Sequence, residues 1–217
     1  MLLKLLSKLA LPGETRVNKN SLIRKFNKQA VIYERNTRQR KLGEWRQQLL
    51  QDIEGDVLEV AVGAGANFPF YDRDKVNVTA VDFSPEMLRH ARQMASELGI
   101  HATFLERDIE TLELPERSYD CIVSTLSLCG YEDPVQALNK MNRWAKPGGR
   151  IYLLEHGMST NRLLGAAQHV VNPVARRISG CHYNRDMIHI VNASDLDIIK
   201  TKRYWNGIVH LIWAQAT

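Results

Sequence analysis

The sequence predicts an α/β fold with a doubly wound, mostly parallel, seven-stranded sheet. Short apolar segments alternate with helix-length segments from residue 57 onward, which is typical of parallel sheets with helices on both faces. A glycine turn follows the first apolar segment, and the last two segments flank a Trp-Asn-Gly turn that predicts an antiparallel hairpin. The 217 residues, 44% of them hydrophobic, suffice for one domain with a sizeable core. We place this domain at residues 53–217, after an N-terminal helical cap at residues 1–52.

The N-terminal cap combines a leucine-rich start with a strongly basic stretch. Leucines at positions 2, 5, 6 and 9 lie on one face of a predicted helix that ends before Pro12-Gly13. This helix either lies on an anionic membrane or packs on its own domain or a partner chain, and both interpretations stay open. Basic side chains between Arg16 and Lys41 form a solvated face or bind lipid head groups or an anionic substrate. On the membrane interpretation, residues 1–41 would contact the anionic surface, in a chain of net charge +5.

Strand segments and helix caps alternate regularly along the domain. The second strand precedes a helix that begins after Ser84, has Pro85 at its first position and ends at Gly99. Asp133-Pro134 opens the next helix, and a helical insertion at about residues 160–192 is expected to be interrupted by Pro173. The strands are predicted at residues 57–62, 77–81, 101–105, 119–124, 150–155, 196–204 and 208–216.

The first strand runs into the turn Gly63-Ala64-Gly65, and the second strand ends in Asp82. Glycines let the backbone approach a ligand closely, and a later carboxylate accepts hydrogen bonds from ribose hydroxyls. This combination predicts a site for a nucleotide-like ligand. A dinucleotide oxidoreductase is disfavoured, because Asn67-Phe68-Pro69 follows the turn where such enzymes carry a third glycine.

Several motifs, taken in order, resemble those of class I S-adenosylmethionine-dependent methyltransferases of the type 11 group. They are the glycine turn, the acidic end of the second strand, and the segments Arg107-Asp108-Ile109, Tyr119–Val123 and Pro147-Gly148-Gly149-Arg150. The resemblance implies a Rossmann-like sheet with a late antiparallel strand, and S-adenosylmethionine as the cofactor with S-adenosylhomocysteine as its product. Residues 124–130, 153–157, 172–174 and 180–185 look like the thiol-methylating methyltransferase-like group and its phospholipid and quinone neighbours.

The resemblance implies cofactor roles for residues along one edge of the sheet. Asp82 would bind the ribose, Asp108 the adenine amino group, and Met87 would pack on the adenine. Glu59 would orient the turn or the methionine amine. Relatives often have glycine at the position of Ala61, where this chain adds a methyl group that is tolerated if the backbone has a negative φ. The other implied contacts are Tyr33 from the N-terminal helix, Ala61, Gly63, Gly65, Asn67, Phe83, Ile109, Thr125 and Leu126.

The implied reaction is an in-line displacement on a sulfonium carbon, for which an enzyme mainly supplies proximity and alignment. A base is needed only for an acceptor that carries a proton at neutral pH, and His156 and His182 are the candidates. The expected acceptor is small and lipophilic: a thiol, a phospholipid amine or a quinone-type ring. No metal site is expected, because the spacings of cysteine and histidine match no standard ligand pattern.

Other classes of function are disfavoured or kept as alternatives. Nucleic-acid methylation is disfavoured, because Ser124-Thr125-Leu126-Ser127 stands where base-methylating relatives carry an Asn/Asp-Pro-Pro-aromatic set. A non-catalytic interaction module with the same fold is the alternative from another class. The three widely spaced cysteines indicate free thiols in a reducing compartment. We expect a cytoplasmic location, with or without peripheral association with a membrane.

Overall fold

The described part of the chain forms one seven-stranded sheet with helices on both faces. The computed structural model describes residues 23–28 and 40–217. The strands lie in the order β3-β2-β1-β4-β5-β7-β6. Strand β7 runs antiparallel to both of its neighbours, β5 and β6, and the other adjacent pairs of described strands are parallel. This arrangement confirms the predicted fold class. The strands are β1 (Gly55–Val60), β2 (Val76–Asp82), β3 (Ala102–Glu106), β4 (Tyr119–Thr125), β5 (Ala145–His156), β6 (Leu196–Tyr204) and β7 (Val209–Ala216).

Capping residues define where the helices start and stop. The Ser84 hydroxyl accepts a hydrogen bond from the Met87 backbone N–H at 3.2 Å, and Gly99 ends the same helix with a φ of 69°. The Asp133 carboxylate caps the next helix by accepting from the Gln136 N–H at 2.9 Å. The helices are α1 (Arg40–Leu50), α2 (Pro85–Leu98), α3 (Pro134–Trp144), α4 (Arg162–Ser179) and α5 (Met187–Asn192), and residues 23–28 are also helical.

Two hydrophobic layers cover the faces of the sheet. Successive residues of β1 point into different layers, since Val57 lies in one and Leu58 in the other, both fully buried. Side chains of α1 and α2 fill the first layer, and side chains of α3 and α5 fill the second. Because β1 to β5 pair in parallel, their carboxyl ends meet at one edge of the sheet, between the two layers.

Helix α1 packs against β5 and β7 and shares their core. Trp45 stacks on Tyr204 with ring centroids 5.1 Å apart. The Trp213 indole N–H donates to the Leu49 carbonyl at 3.2 Å. These contacts attach α1 to the sheet.

The N-terminal predictions fall largely outside the described residues. Tyr33 lies there, as do the leucine-rich segment and most of the basic stretch. Within residues 23–28, Phe26 meets Phe83 edge-on with ring centroids 5.4 Å apart, so this segment lies over the end of β2. No helix among residues 23–28 and 40–217 is long and apolar enough to span a bilayer.

Two details of the predicted elements are corrected. The expected interruption at Pro173 is wrong, because α4 runs unbroken from Arg162 to Ser179. Proline leaves the carbonyl four residues earlier without its helical partner, and both Pro173 and His169 are exposed, so water can solvate that carbonyl. Strand β5 starts at Ala145 rather than at residue 150, since Ala145 pairs with Tyr119 ahead of a register shift in β4.

Candidate active site

A cleft opens at the carboxyl end of the sheet, where the strand order reverses between β1 and β4. In open α/β sheets, ligands bind at this reversal. The cleft has a volume of about 470 Å³, within the range of small-molecule sites. The turn after β1, the end of β2, residues 106–110 and the end of β4 border it, together with residues from α1 and from the segment after α4.

A buried polar network holds the glycine turn in place. Glu59 is 1% exposed and accepts hydrogen bonds from Asn67 Nδ2 at 2.8 Å and from the Tyr71 hydroxyl at 2.6 Å. Asn67 Nδ2 also lies 3.2 Å from Thr125 Oγ1, which ties the turn to the end of β4. Burial raises the pKa of Glu59 to about 7, against the opposing effect of these hydrogen bonds. Glu59 therefore orients the turn through Asn67, and neither side chain borders the cleft directly.

Arg46 is a site residue that the sequence reasoning missed. It extends from α1, is 5% exposed, and donates through Nε to Asn67 Oδ1 at 3.0 Å. Its Nη1 atom is buried and has no hydrogen-bond partner among the described residues, although the side chain borders the cleft. Burial lowers the pKa of Arg46, and the nearby Glu59 opposes that shift. The sequence could have revealed it, because Arg46 lies between Trp45 and Leu49 on the apolar face of a helix, where a charged side chain is unusual.

Asp82 connects the turn to the start of α2. Its carboxylate accepts from the Gly63 N–H at 2.9 Å and from the Ser84 N–H at 2.8 Å. Burial raises the pKa of Asp82 to about 6, while these backbone hydrogen bonds act in the opposite direction. Asp82 and Gly63 both border the cleft. A carboxylate held at a glycine turn in this way can accept hydrogen bonds from vicinal hydroxyls of a ligand.

The two glycines of the turn serve different needs. A Cβ added to Gly63 would meet nothing within 4 Å, so the missing side chain leaves space beside the backbone. A Cβ on Gly65 would lie 2.9 Å from the Phe68 ring and 3.3 Å from Ala91 Cα. Gly65 is therefore needed for close packing of the turn against α2, and it lies outside the cleft lining.

Two non-glycine residues at the cleft have left-handed backbone conformations. Ala61 follows β1 with a φ of 51°, and Leu126 follows β4 with a φ of 57°. The condition of a negative φ, under which a methyl group at Ala61 costs nothing, is therefore not met. The left-handed conformation costs an L-residue roughly 1–2 kcal/mol, and strain of this kind concentrates at functional sites. Both residues border the cleft, at the ends of the two strands that flank the reversal.

The remaining predicted cofactor contacts divide into two groups. Phe83, Met87 and Asp108 border the cleft, as does Thr125. Met87 is 2% exposed and packs with Ala64 in a small apolar cluster. Ile109 is also buried, but its side chain belongs to the core layer of α3 rather than to the lining.

A cluster of sulfur and imidazole groups lies at the other side of the cleft. Cys129, His156 and Cys181 come together with their ligand atoms all within 4.8 Å of one another. The Cys129 thiol and the His156 imidazole lower the pKa of Cys181 to about 5, against the effect of burial. The ring of His156 also lies 4.9 Å from that of Tyr183. His182 contributes its backbone N–H to the Cys129 carbonyl at 2.9 Å, and its side chain does not border the cleft.

Comparison with known proteins identifies the class of domain. Residues 58–153 match the family model described as a methyltransferase domain. The fold is shared with a Haloferax volcanii methyltransferase solved with the Trm112 methyltransferase activator, at a TM-score of 0.69 and 17% identity, covering 88% of this chain and 97% of that one. Residues 58–153 are therefore a methyltransferase domain, and the fold around them is shared with a solved methyltransferase.

Several named methyltransferases are similar to this chain in sequence. The mitochondrial methyltransferase OMS1 of Saccharomyces cerevisiae is 32% identical over 198 residues, which cover 80% of this chain and 41% of that protein. The thiol S-methyltransferase TMT1B of Rattus norvegicus is 32% identical over 149 residues, which cover 63% of this chain and 60% of that protein. The chain thus spans between two fifths and three fifths of these relatives.

Proposed function

We propose that this protein transfers the methyl group of S-adenosylmethionine to a small, lipophilic acceptor. The observation that carries the proposal is a pair of buried, oppositely charged groups on one cleft. Arg46 presents a guanidinium nitrogen without a partner among the described residues, and Asp82 presents a carboxylate beside the glycine turn. The amino-acid carboxylate and the ribose hydroxyls of S-adenosylmethionine are complementary to these two groups.

The other lining residues support an adenosine moiety between these charges. Phe83 and Met87 provide apolar surface for the adenine ring, and Asp108 an acceptor for its amino group. The open space beside Gly63 admits the ligand close to the backbone. The roles of Ile109 and Tyr33 in cofactor binding stay predictions.

In this proposal the protein acts chiefly by positioning. S-adenosylmethionine supplies a methyl group on a positively charged sulfur, which is already a good leaving group. Arg46, Asp82 and the turn orient the cofactor, while Thr125 and Leu126 border the space that an acceptor would enter. Alignment of this kind is worth several orders of magnitude in rate without a charged catalytic group. His156 and His182 stay the candidate bases for an acceptor that must lose a proton.

The exposed face of α4 supports a lipophilic acceptor at a membrane surface. Leu163, Val170, Val174 and Ile178 lie along one side of the helix and are 83%, 79%, 63% and 69% exposed. The exposed Arg177 flanks this stripe, and the helix continues into the segment that borders the cleft. Apolar stripes flanked by basic side chains are typical of helices that lie in the interface of anionic membranes. Protein association is the alternative use of such a stripe.

A panel of acceptors tests the proposal directly. A lipophilic thiol, a phosphatidylethanolamine and a quinone precursor would each be offered with labelled S-adenosylmethionine, with and without anionic vesicles. We expect transfer to at least one of them, increased by vesicles. Transfer only to polar acceptors would contradict the lipophilic assignment. Absence of S-adenosylhomocysteine binding in calorimetry, even at millimolar ligand, would instead favour the non-catalytic interaction module.

A matched pair of variants tests the membrane part. Replacing Val170 and Val174 by serine removes two exposed apolar side chains from α4, and we expect about a tenfold weaker partition to anionic vesicles. The affinity for S-adenosylhomocysteine should stay unchanged. The control replaces Ile199, which is 48% exposed on β6, by serine, and it should leave partition as in the wild type. Equal partition of all three proteins would contradict the assignment of this face to the membrane.

A further inference from the structure

Three elements that are distant in sequence bring two thiols and an imidazole together. Cys129 follows β4, His156 ends β5, and Cys181 follows the C-terminal glycine of α4. Their sulfur and ring nitrogen atoms all lie within 4.8 Å of one another. Cys129 is 1% exposed, whereas the other two are half-buried. Both cysteines border the cleft that we assign to the cofactor, so the cluster faces the space where an acceptor would meet the methyl group.

The backbone around the cluster is held in place by hydrogen bonds. The His182 N–H donates to the Cys129 carbonyl at 2.9 Å, which joins the two cysteine-bearing loops. Arg185 donates to the carbonyls of Leu128 and Tyr131, the latter at 2.6 Å. The two loops therefore approach each other independently of the cysteine side chains, and small side-chain rotations are enough to change the distance between the sulfurs.

The donor set has the chemistry of a zinc site. Two thiolates and one imidazole are soft and borderline ligands that favour zinc over calcium or magnesium. Zn–S bonds of about 2.3 Å in a tetrahedron place two sulfurs about 3.8 Å apart, so the cluster needs to contract by at most about 1 Å. Three protein ligands with a vacant fourth position are typical of catalytic rather than structural zinc. Two thiolates neutralise the charge of a zinc dication, so the neighbouring guanidinium of Arg185 would repel the bound ion only weakly.

We propose that Cys129, His156 and Cys181 bind one zinc ion whose fourth ligand is the sulfur of a thiol acceptor. This inference rests on the proposed methyl transfer and specifies its acceptor as a thiol. On binding to zinc, the acceptor thiol releases its proton to solvent. The sulfur lone pair then forms a bond to the methyl carbon, and the carbon–sulfonium bond breaks with its electron pair staying on the cofactor sulfur. The products are a thioether, which dissociates from zinc, and S-adenosylhomocysteine.

Metal content tests the site without reference to activity. The full chain, reduced and stripped with a chelator, would be incubated with zinc, desalted and analysed by elemental mass spectrometry. We expect about one equivalent of zinc in the wild type and about a tenth of that in Cys181→Ser and in His156→Gln. Cys121→Ser is the matched control, because Cys121 is a buried thiol in β4 whose sulfur donates to the Glu54 carbonyl outside the cluster, and it should retain the metal. Equal metal content in all four proteins would overturn the proposal.

Cobalt substitution reports the ligands and the open position. Co²⁺ in the wild type should give the intense visible bands of a tetrahedral ion and a thiolate charge-transfer band, both lost in Cys181→Ser. Hexanethiol should shift the visible bands, and hexylamine should not. A wild-type protein that binds neither ion, or whose intact mass shows a Cys129–Cys181 disulfide after reduction and refolding in zinc, would overturn the site.

Chelation then connects the site with the reaction. Zinc removal should lower methyl transfer to hexanethiol about 100-fold, since zinc lowers the pKa of a bound thiol below neutral. The affinity for S-adenosylhomocysteine should not change. Undiminished transfer to the thiol after chelation would overturn the catalytic role of the metal. Loss of cofactor binding in the zinc-loaded wild type would contradict the proposed function instead, so the two failures are distinguishable.

Discussion

The two sides of the cleft, which we assign to the cofactor and to the acceptor, differ in how much of their surface is buried and hydrogen-bonded. On the cofactor side, polar groups around Glu59 and Asp82 are buried and bonded to one another or to the backbone of the turn. On the acceptor side, α4 buries only Gly165 and Asn172 among its 18 residues and exposes an apolar stripe, next to a cluster of thiols and imidazole. A preorganised surface suits a ligand of constant structure, whereas an exposed apolar surface suits acceptors delivered from a lipid phase.

Removing the carboxylate of Asp82 should produce the largest effect on the cofactor side. In Asp82→Asn, the amide cannot accept hydrogen bonds at both positions, so the N–H of Gly63 or of Ser84 loses its partner and the ribose contact weakens. We expect the affinity for S-adenosylhomocysteine to fall by about 100-fold in calorimetry. Asp74→Asn, at an exposed carboxylate, is the control and should bind normally. An unchanged affinity would contradict the assignment of Asp82 to the ribose.

Neutralising Arg46 should remove the recognition of the ligand carboxylate specifically. Arg46→Met keeps the apolar stem of the side chain but loses the guanidinium, so we expect S-adenosylhomocysteine to bind about 10- to 100-fold more weakly. Methylthioadenosine lacks the amino-acid carboxylate, and its affinity should change by less than about threefold. An equal loss for both ligands would indicate that Arg46 acts only by holding Asn67 and the turn.

The pH dependence of cofactor binding should follow the buried carboxyl of Asp82. Because burial raises the pKa of Asp82 to about 6, the free protein protonates this group as the pH falls from 8 to 5. Protonation removes an acceptor, so the affinity for S-adenosylhomocysteine should drop about tenfold over that range. Asp82→Asn should show a flat profile. A wild-type profile that is equally flat would place the ribose contact elsewhere.

Folding stability should change with pH in the opposite direction. The folded-state pKa values of Asp82, about 6, and Glu59, about 7, lie above the usual values of these carboxyls. Their contribution to the free energy of unfolding is therefore fully present below about pH 4 and is lost as the pH rises through 6 and 7. In urea denaturation, the stability of the wild type relative to Asp82→Asn should increase as the pH is lowered from 8 to 5. A constant difference would show that Asp82 is not desolvated in the folded state.

The smallest expected effect concerns the strained turn. Ala61→Gly removes a methyl group from a residue with a φ of 51°, so we expect a gain of about 0.5–1 kcal/mol in the free energy of unfolding. Cofactor affinity should stay the same or increase. Ala64→Gly is the control and should lower the free energy of unfolding, because Ala64 is 3% exposed and its φ is not left-handed. Destabilisation by Ala61→Gly would mean that the methyl group packs usefully against the cleft.

Much of the fold could be predicted because its signals are local. Apolar strands of five to seven residues, the Ser84-Pro85 helix start and the Gly99 stop each depend on neighbours in the chain. Parallel strands must bring their carboxyl ends to one edge of the sheet, so the sequence was enough to predict that the turn and Asp82 lie close together. The error at Pro173 shows where a local signal fails, since α4 continues through this proline and the carbonyl that loses its helical partner is on an exposed turn.

The rest of the site depends on contacts between segments that lie far apart in the chain. The chemical character of each strand, helix cap and glycine is encoded locally, and the amino-acid order alone was enough for the sheet, the turn and the cofactor class. The burial of Arg46 and the meeting of Cys129, His156 and Cys181 were decided only by tertiary packing. Their spacings carry no pattern, because each residue comes from a different element and the distance between those elements is set by the sheet beneath them.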